Sequence, residues 1–331
     1  MPRKKQQSPI KGAASNWRNW LLAALLVAGL VVAALHWGDV KAFGALLAHA
    51  QPLWLGIAAL LQLGTYSGLA AQWWLTLRRG RTPQPLAELL RLTLAKYFAD
   101  QVVPTAGMSG NVVLVDRLVR LGVPRGNALA ALLLQVMAYY CSYAIGALIV
   151  LVVLLWKGRM SPLLGGAVLS FLIVAGGIPA LILWLHRRGQ EKMPKWLARW
   201  SKARDFFELV GEAPARLIRD PQLIVSLSLL NGLVFLADAA TMQSCLLALG
   251  LHAPLSTGYI AFMMASIAVI LGPVPMGLGS FEAVSIAMLR LFGVPFEGAL
   301  SATLLFRGFT LWLPLLPGGL LLRKELKPAT A

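Results

Sequence analysis

The chain has 331 residues, of which 58% are hydrophobic and only 13% charged, with 30 Lys and Arg against 13 Asp and Glu. Soluble domains carry about 25% charged residues, so this composition excludes a disordered chain, a disulfide-rich secreted module and an ordinary cytosolic enzyme. It indicates a multispan membrane protein with room for roughly six to eight spans of about 20 residues. The net charge of +17 then belongs to loops facing anionic lipid and not to nucleic-acid binding.

In chain order, residues 1–19 form a basic tail (Arg3, Lys4, Lys5, Lys11, Arg18), expected on the cytoplasmic side. Residues 20–325 are expected to form a single transmembrane domain. The apolar run from Trp20 to Trp37 is longer than a signal-peptide core and reads as an uncleaved first span. Further spans are expected over Pro52–Leu77, Asn127–Trp156, Leu163–Leu185, Leu223–Leu249 and Glu297–Leu322. The N-terminal tail, the cluster Arg78, Arg79 and Arg81, the loop 186–219 and the C-terminal tail hold two thirds of the Lys and Arg residues. The positive-inside rule therefore puts both termini in the cytoplasm of a bacterial-type inner membrane. Within that loop, about 190–219, Trp196, Trp200, Phe206 and Phe207 alternate with basic residues, the pattern of an amphipathic segment lying on the cytoplasmic leaflet.

Two segments, 85–120 and 255–292, do not read as simple spans. Each has an apolar limb, a Pro/Gly/Ser-rich break and a second limb. Backbone freed at membrane depth must be satisfied by protein or water, so both are expected to be re-entrant helical hairpins. They are also copies. Val103-Pro104 matches Val274-Pro275, Ser109 matches Ser280, and Gly122-Val123-Pro124 matches Gly293-Val294-Pro295, all at a single offset without a gap. Repeat one runs over about 85–156 and repeat two over about 255–322. An odd number of spans separates the hairpins, so the repeats are inverted across the membrane. The expected fold class is an all-α polytopic membrane protein, with about six spans plus two broken hairpins in an inverted repeat, the architecture of secondary transporters.

Charges inside spans mark functional sites by default. Glu282 follows the second break, Arg307 lies well inside the last span, Asp238 is mid-span, Lys96 and Asp100 lie on the first limb of hairpin one, and Asp116 with Arg117 closes it. The candidate substrate-binding set comprises these breaks and charges. From hairpin one it takes Pro104, Thr105, Gly107, Ser109, Gly110, Asn111, Asp116 and Arg117. From the remainder it takes Asp238, Pro273, Pro275, Gly277, Gly279, Ser280, Glu282 and Arg307. The second limb of hairpin two begins near Ser280, where a helix N-terminus suits an anion. Cys141, Cys245 and the four scattered histidines have no metal or redox spacing, and no metal or cofactor is expected.

The run Gly272-Pro273-Val274-Pro275-Met276-Gly277-Leu278-Gly279-Ser280-Phe281-Glu282, then Leu291-Phe292-Gly293-Val294-Pro295, Leu305-Phe306-Arg307 and Trp312-Leu313-Pro314, resembles the flippase-like transmembrane domain of lysylphosphatidylglycerol synthases. The resemblance covers nearly the whole chain after the first span. It departs at Asn111, where relatives often have an acid, and at Gln135-Val136, where they often have an acidic–Arg pair. It implies a lipid partner such as a phospholipid, a polyprenyl-linked sugar or a hopanoid. The family's aminoacyl-transferase domain is not expected in this chain, so lysyl transfer and catalysis generally are not expected. The leading function is translocation or binding of a lipid with a polar or anionic headgroup by alternating access. The alternatives are a non-transporting scaffold for lipid-modifying enzymes, and a membrane-embedded transferase using Glu282, Asp238 or Asp116 as base. No Walker A pattern is present, so nucleotide-driven pumping is not expected.

Overall fold

The computed structural model describes residues 50–102, 108–188, 210–272 and 277–313. The first span, most of the 190–219 segment and the tips of both breaks lie outside these residues. The described residues are all-helical. Four helices are long and apolar enough to cross a bilayer: α1 (Pro52–Arg79), α4 (Arg125–Trp156), α5 (Pro162–Arg188) and α7 (Pro221–Ala248). At 1.5 Å per residue, a 28-residue helix is about 42 Å long, which exceeds the roughly 30 Å hydrocarbon core. Their outward faces carry Leu60, Leu63, Ile149, Val152, Leu169, Ile173, Leu229 and Leu233, all exposed large apolar side chains that lipid would cover.

Five shorter helices complete the body. They are α2 (Leu86–Val102), α3 (Met108–Arg120), α8 (Leu255–Leu271), α9 (Ser280–Leu291) and α10 (Phe296–Arg307). None has the length of a span. α2 packs on α3, and α8 on α9, as two helical hairpins. A single turn, α6 (Ala215–Ile218), precedes α7. The last expected span is not a uniform α-helix. α10 ends at Arg307 and passes into a π turn over Gly308–Trp312, and residues beyond 313 lie outside the described part.

The repeat is visible in backbone detail. α3 ends in a turn where Gly122 takes φ +85°, and α9 ends in one where Gly293 takes φ +87°. Val123 N–H donates to the Leu118 carbonyl at 3.1 Å, as Val294 N–H does to that of Leu289 at 3.1 Å. Pro124 and Pro295 then start α4 and α10. The fixed proline φ and the missing N–H suit a helix start, and left-handed φ is open to glycine without steric cost. The long helices α1 and α7, 28 residues each with Pro at the first position, precede their hairpins in the same way, so each structural unit is larger than the matched sequence.

The two units point in opposite directions. α1 and α7 lie antiparallel, because Gln51 N–H bonds the Ala248 carbonyl at one end and Arg79 bonds Asp220 at the other. The Arg79–Asp220 end also holds the start of α4. There Arg125 pairs with Glu212 at 3.2 Å, and Asn127 bonds the Gly80 carbonyl at 3.0 Å. Lys157, past the far end of α4, sits over the Phe292 ring in the turn after α9. The turns that close the two hairpins are therefore at opposite ends of the bundle. At the basic end Val210, Ala213, Leu217 and Ile218 are buried against α4 and α5, with Leu133, Leu134, Met137 and Ile182. His186 Nδ1 meets the Val210 carbonyl at 3.2 Å. This part of the basic loop packs into protein.

The matched turns give a stability prediction. Gly122→Ala and Gly293→Ala each place a Cβ in the left-handed region, at a cost of about 1–2 kcal/mol. Thermal unfolding in detergent should show two similar losses; a loss at one turn alone would contradict their equivalence.

Candidate functional site

The central polar elements begin with the α1–α7 pair. Gln62, Thr65, Gln72 and Thr76 lie on one face of α1 and are buried. Gln62 Nε2 donates to Asp238 Oδ1 at 2.9 Å and to Thr241 Oγ1 at 3.1 Å. The Thr65 hydroxyl adds a bond to Asp238 Oδ1 at 3.3 Å, and Gln72 donates to Asn231 Oδ1 at 3.2 Å. A polar seam thus runs along the contact between the two inverted units.

Beside it stands hairpin two. Gly277 (φ +64°) and Gly279 (φ +83°) turn the chain into α9. A Cβ on Gly277 would overlap the Val269 side chain, so both backbone angle and space require glycine there. Ser280 Oγ bonds the Gly277 carbonyl at 3.2 Å. Glu282, on the first turn of α9, uses its two oxygens differently. Oε2 accepts the Gly279 N–H at 2.7 Å, and Oε1 accepts Arg307 Nε at 2.6 Å. One carboxylate therefore caps a helix, where negative charge is favourable, and anchors a cation on α10. Arg307 is 8% exposed. Its guanidinium lies 4.9 Å from the centre of the Phe281 ring, which stacks on Phe306. The helix changes to π immediately after Arg307, a distortion often found at functional positions.

Hairpin one solves the same problem with other residues. Asp100 Oδ1 accepts the Gly110 N–H at 2.8 Å, and its Oδ2 pairs with Lys96 at 2.9 Å. A Cβ on Gly110 would overlap the Lys96 carbonyl and the Asp100 carboxylate, so this close crossing of α2 and α3 needs glycine. Tyr66 joins the three parts. Its ring meets that of Tyr97 on α2 edge-on at 6.1 Å, and its hydroxyl donates to the Phe309 carbonyl of the π turn at 3.4 Å.

The structure thus brings Gly277, Gly279, Ser280, Glu282 and Arg307 together, and seats Gly110 and Asp238 in neighbouring networks. Asn111 is half-buried on α3, next to Gly110, and Ser109 lies in the first turn of that helix. Asp116 and Arg117 stand apart. Asp116 is exposed and pairs with Arg120 at 2.8 Å. Both line a small groove of about 120 Å³ between α2 and α3, with Leu92, Ala95 and Val113. Pro104, Thr105, Gly107, Pro273 and Pro275 lie outside the described residues. Sequence reasoning missed Gln62, Thr65, Tyr66 and Tyr97. The available signal was a stripe of uncharged polar residues at helical spacing within an apolar run.

The ion pair carries a prediction of its own. Glu282→Gln removes the negative charge that Arg307 Nε meets, a loss of about 1.5–3 kcal/mol for a charged hydrogen bond. Replacing both partners, as Glu282→Gln with Arg307→Met, should cost less than the single change. A double change that unfolds at lower temperature than the single one would show that the pairing is not what holds Arg307.

None of the curated proteins compared with the chain matches it. A family model does. It describes the lysylphosphatidylglycerol synthase TM region and matches residues 20–318, nearly the entire chain and every element described above. The chain therefore belongs to the family of the lysylphosphatidylglycerol synthase transmembrane region.

Proposed function

We propose that this integral membrane protein binds and translocates a lipid with a polar or anionic headgroup. The candidates are a phospholipid, a polyprenyl-linked sugar or a hopanoid. The headgroup passes the polar centre while the tail stays in hydrocarbon, and the two inverted units open alternately to the two faces. The observation that carries this reading is the Glu282–Arg307 pair, held at the start of α9 beside the turn of Gly277 and Gly279. Broken helices in inverted repeats are how secondary transporters build midplane sites. An arginine fork suits a phosphate or similar oxyanion better than a point charge does. On this reading Glu282 positions the fork until a headgroup oxygen competes for it.

The test is reconstitution of the purified protein in vesicles with fluorescent-headgroup phospholipid. Transbilayer movement supports the reading. Chemical conversion of the lipid would favour the transferase alternative, and neither result would favour a scaffold. Arg307→Lys keeps the charge but removes the fork. It should leave a folded protein whose transport falls roughly tenfold or more, the worth of a charge-assisted hydrogen bond. Unchanged transport by this variant would remove Arg307 from the site.

We also propose that the protein sits in a bacterial-type inner membrane with both termini in the cytoplasm, on the strength of the basic end formed by Arg79, Arg125, Arg216 and Arg219. Single cysteines near Trp200 should label only from inside, and cysteines at Lys157 or Arg159 only from outside. The opposite pattern would reverse the orientation.

A further inference from the structure

Asp238 is the single carboxylate within α7. Both donors that reach it, Gln62 and Thr65, are neutral and bind the same oxygen, Oδ1. Among the described residues no hydrogen bond or ion pair reaches Oδ2. Asp238 is half-buried, so its carboxylate is not sealed off completely.

Among the described residues, the surrounding elements supply no free counter-charge. From α1 come Gln62, Thr65 and Tyr66. From α2 comes Tyr97, with Lys96 already held by Asp100 at 2.9 Å. From α4 comes Tyr143, packed on Tyr139 and Phe235. α8 has no charged residue, and its Tyr259 hydroxyl bonds the Gly146 carbonyl. From α10 comes Arg307, held by Glu282 at 2.6 Å. A carboxylate in a membrane interior without a cation must find one or take a proton.

We propose that Asp238 is a proton-carrying site that sets how tightly the two inverted units hold each other. With Oδ1 committed as acceptor, the proton arrives from water on the open Oδ2, and no other bond changes. Charge-assisted hydrogen bonds are roughly twice as strong as neutral ones. Deprotonated Asp238 on α7 therefore grips Gln62 and Thr65 on α1, and protonated Asp238 loosens that grip. Because α1 and α7 belong to opposite units, proton uptake eases their rearrangement and proton release locks it. The link to transport rests on the proposed lipid translocation; proton binding itself does not.

Two measurements separate these. Infrared difference titration of purified protein carrying isotope-labelled aspartate reports protonation without transport. A labelled carboxyl band should titrate in wild type and vanish in Asp238→Asn. Gln62→Leu, which keeps the acid, should move its midpoint to higher pH, because a donor to the charged form is gone. In vesicles carrying NBD-labelled phosphatidylglycerol, wild-type translocation should rise as pH falls, with a limiting slope of about tenfold per unit for one proton, and Asp238→Asn should be flat. A titrating band in a protein that moves no lipid would uphold the proton site and refute the translocation reading. The absence of any titrating aspartate band that Asp238→Asn or Gln62→Leu alters would overturn the proton site, whether or not lipid moves.

Discussion

A side chain that forms hydrogen bonds has no water to turn to where it faces the hydrocarbon of a bilayer, and α1 and α7 turn many such side chains toward each other. Gln62 bonds Asp238 and Thr241, and Gln72 bonds Asn231, across that contact, while Gln72 Oε1 and Asn231 Nδ2 stay buried without a partner among the described residues. Facing lipid these side chains would be costly; facing each other they fix the register of two antiparallel helices. Everything else is placed relative to this pair. α2 packs on α1, α8 and α10 pack on α7, and each hairpin follows from the end of its own long helix. Apolar packing gives little preference between protein and lipid tails, so polar contacts carry much of the specificity. This seam is also the boundary between the two inverted units, so whatever moves one unit against the other must act on these bonds.

The two units share a backbone but not a chemistry. The turn, the proline and the glycine with positive φ recur at Gly122-Val123-Pro124 and Gly293-Val294-Pro295. The ion pair does not recur. The residues of unit one in register with Glu282 and Arg307 are Asn111 and Val136. Unit one places its charges instead on α2, where Asp100 holds both Lys96 and the start of α3. Among the described residues, the Glu282–Arg307 pair lies on the side of hairpin two, and the Lys96–Asp100 pair on the side of hairpin one. Under the proposed translocation, the two halves of the alternation are unequal, with the proposed headgroup contact on the side of hairpin two.

Much of this was legible in the sequence. The four long helices fall within a few residues of the apolar runs, because length and hydropathy alone decide a span. The hairpins were legible because Pro and Gly at membrane depth leave few other solutions. Glu282 and Arg307 stood out because a charge in an apolar run is expensive. What stayed hidden was pairing. Nothing local to Asp238 points to Gln62, 176 residues away, and an uncharged amide in an apolar helix raises no alarm by itself. The membership of α1 and α7 in the repeat was also hidden. Equivalent helices that face each other across a symmetry axis need similar length and direction, not identical residues. The π turn after Arg307 left no mark that propensity could read, and it interrupts what hydropathy shows as one continuous span.

Alternating opening about the α1–α7 seam is tested most directly by locking each end of it. In a background with Cys141 and Cys245 replaced by serine, one cysteine pair would join positions 51 and 248, whose backbones are hydrogen-bonded. A second, bridged by a reducible bifunctional thiol reagent, would join positions 79 and 222, whose long side chains meet at their tips. Cross-linking either pair alone should stop lipid movement in vesicles, and reduction should restore it, because each end must part in turn. Undiminished translocation with either end fully cross-linked would contradict alternating opening.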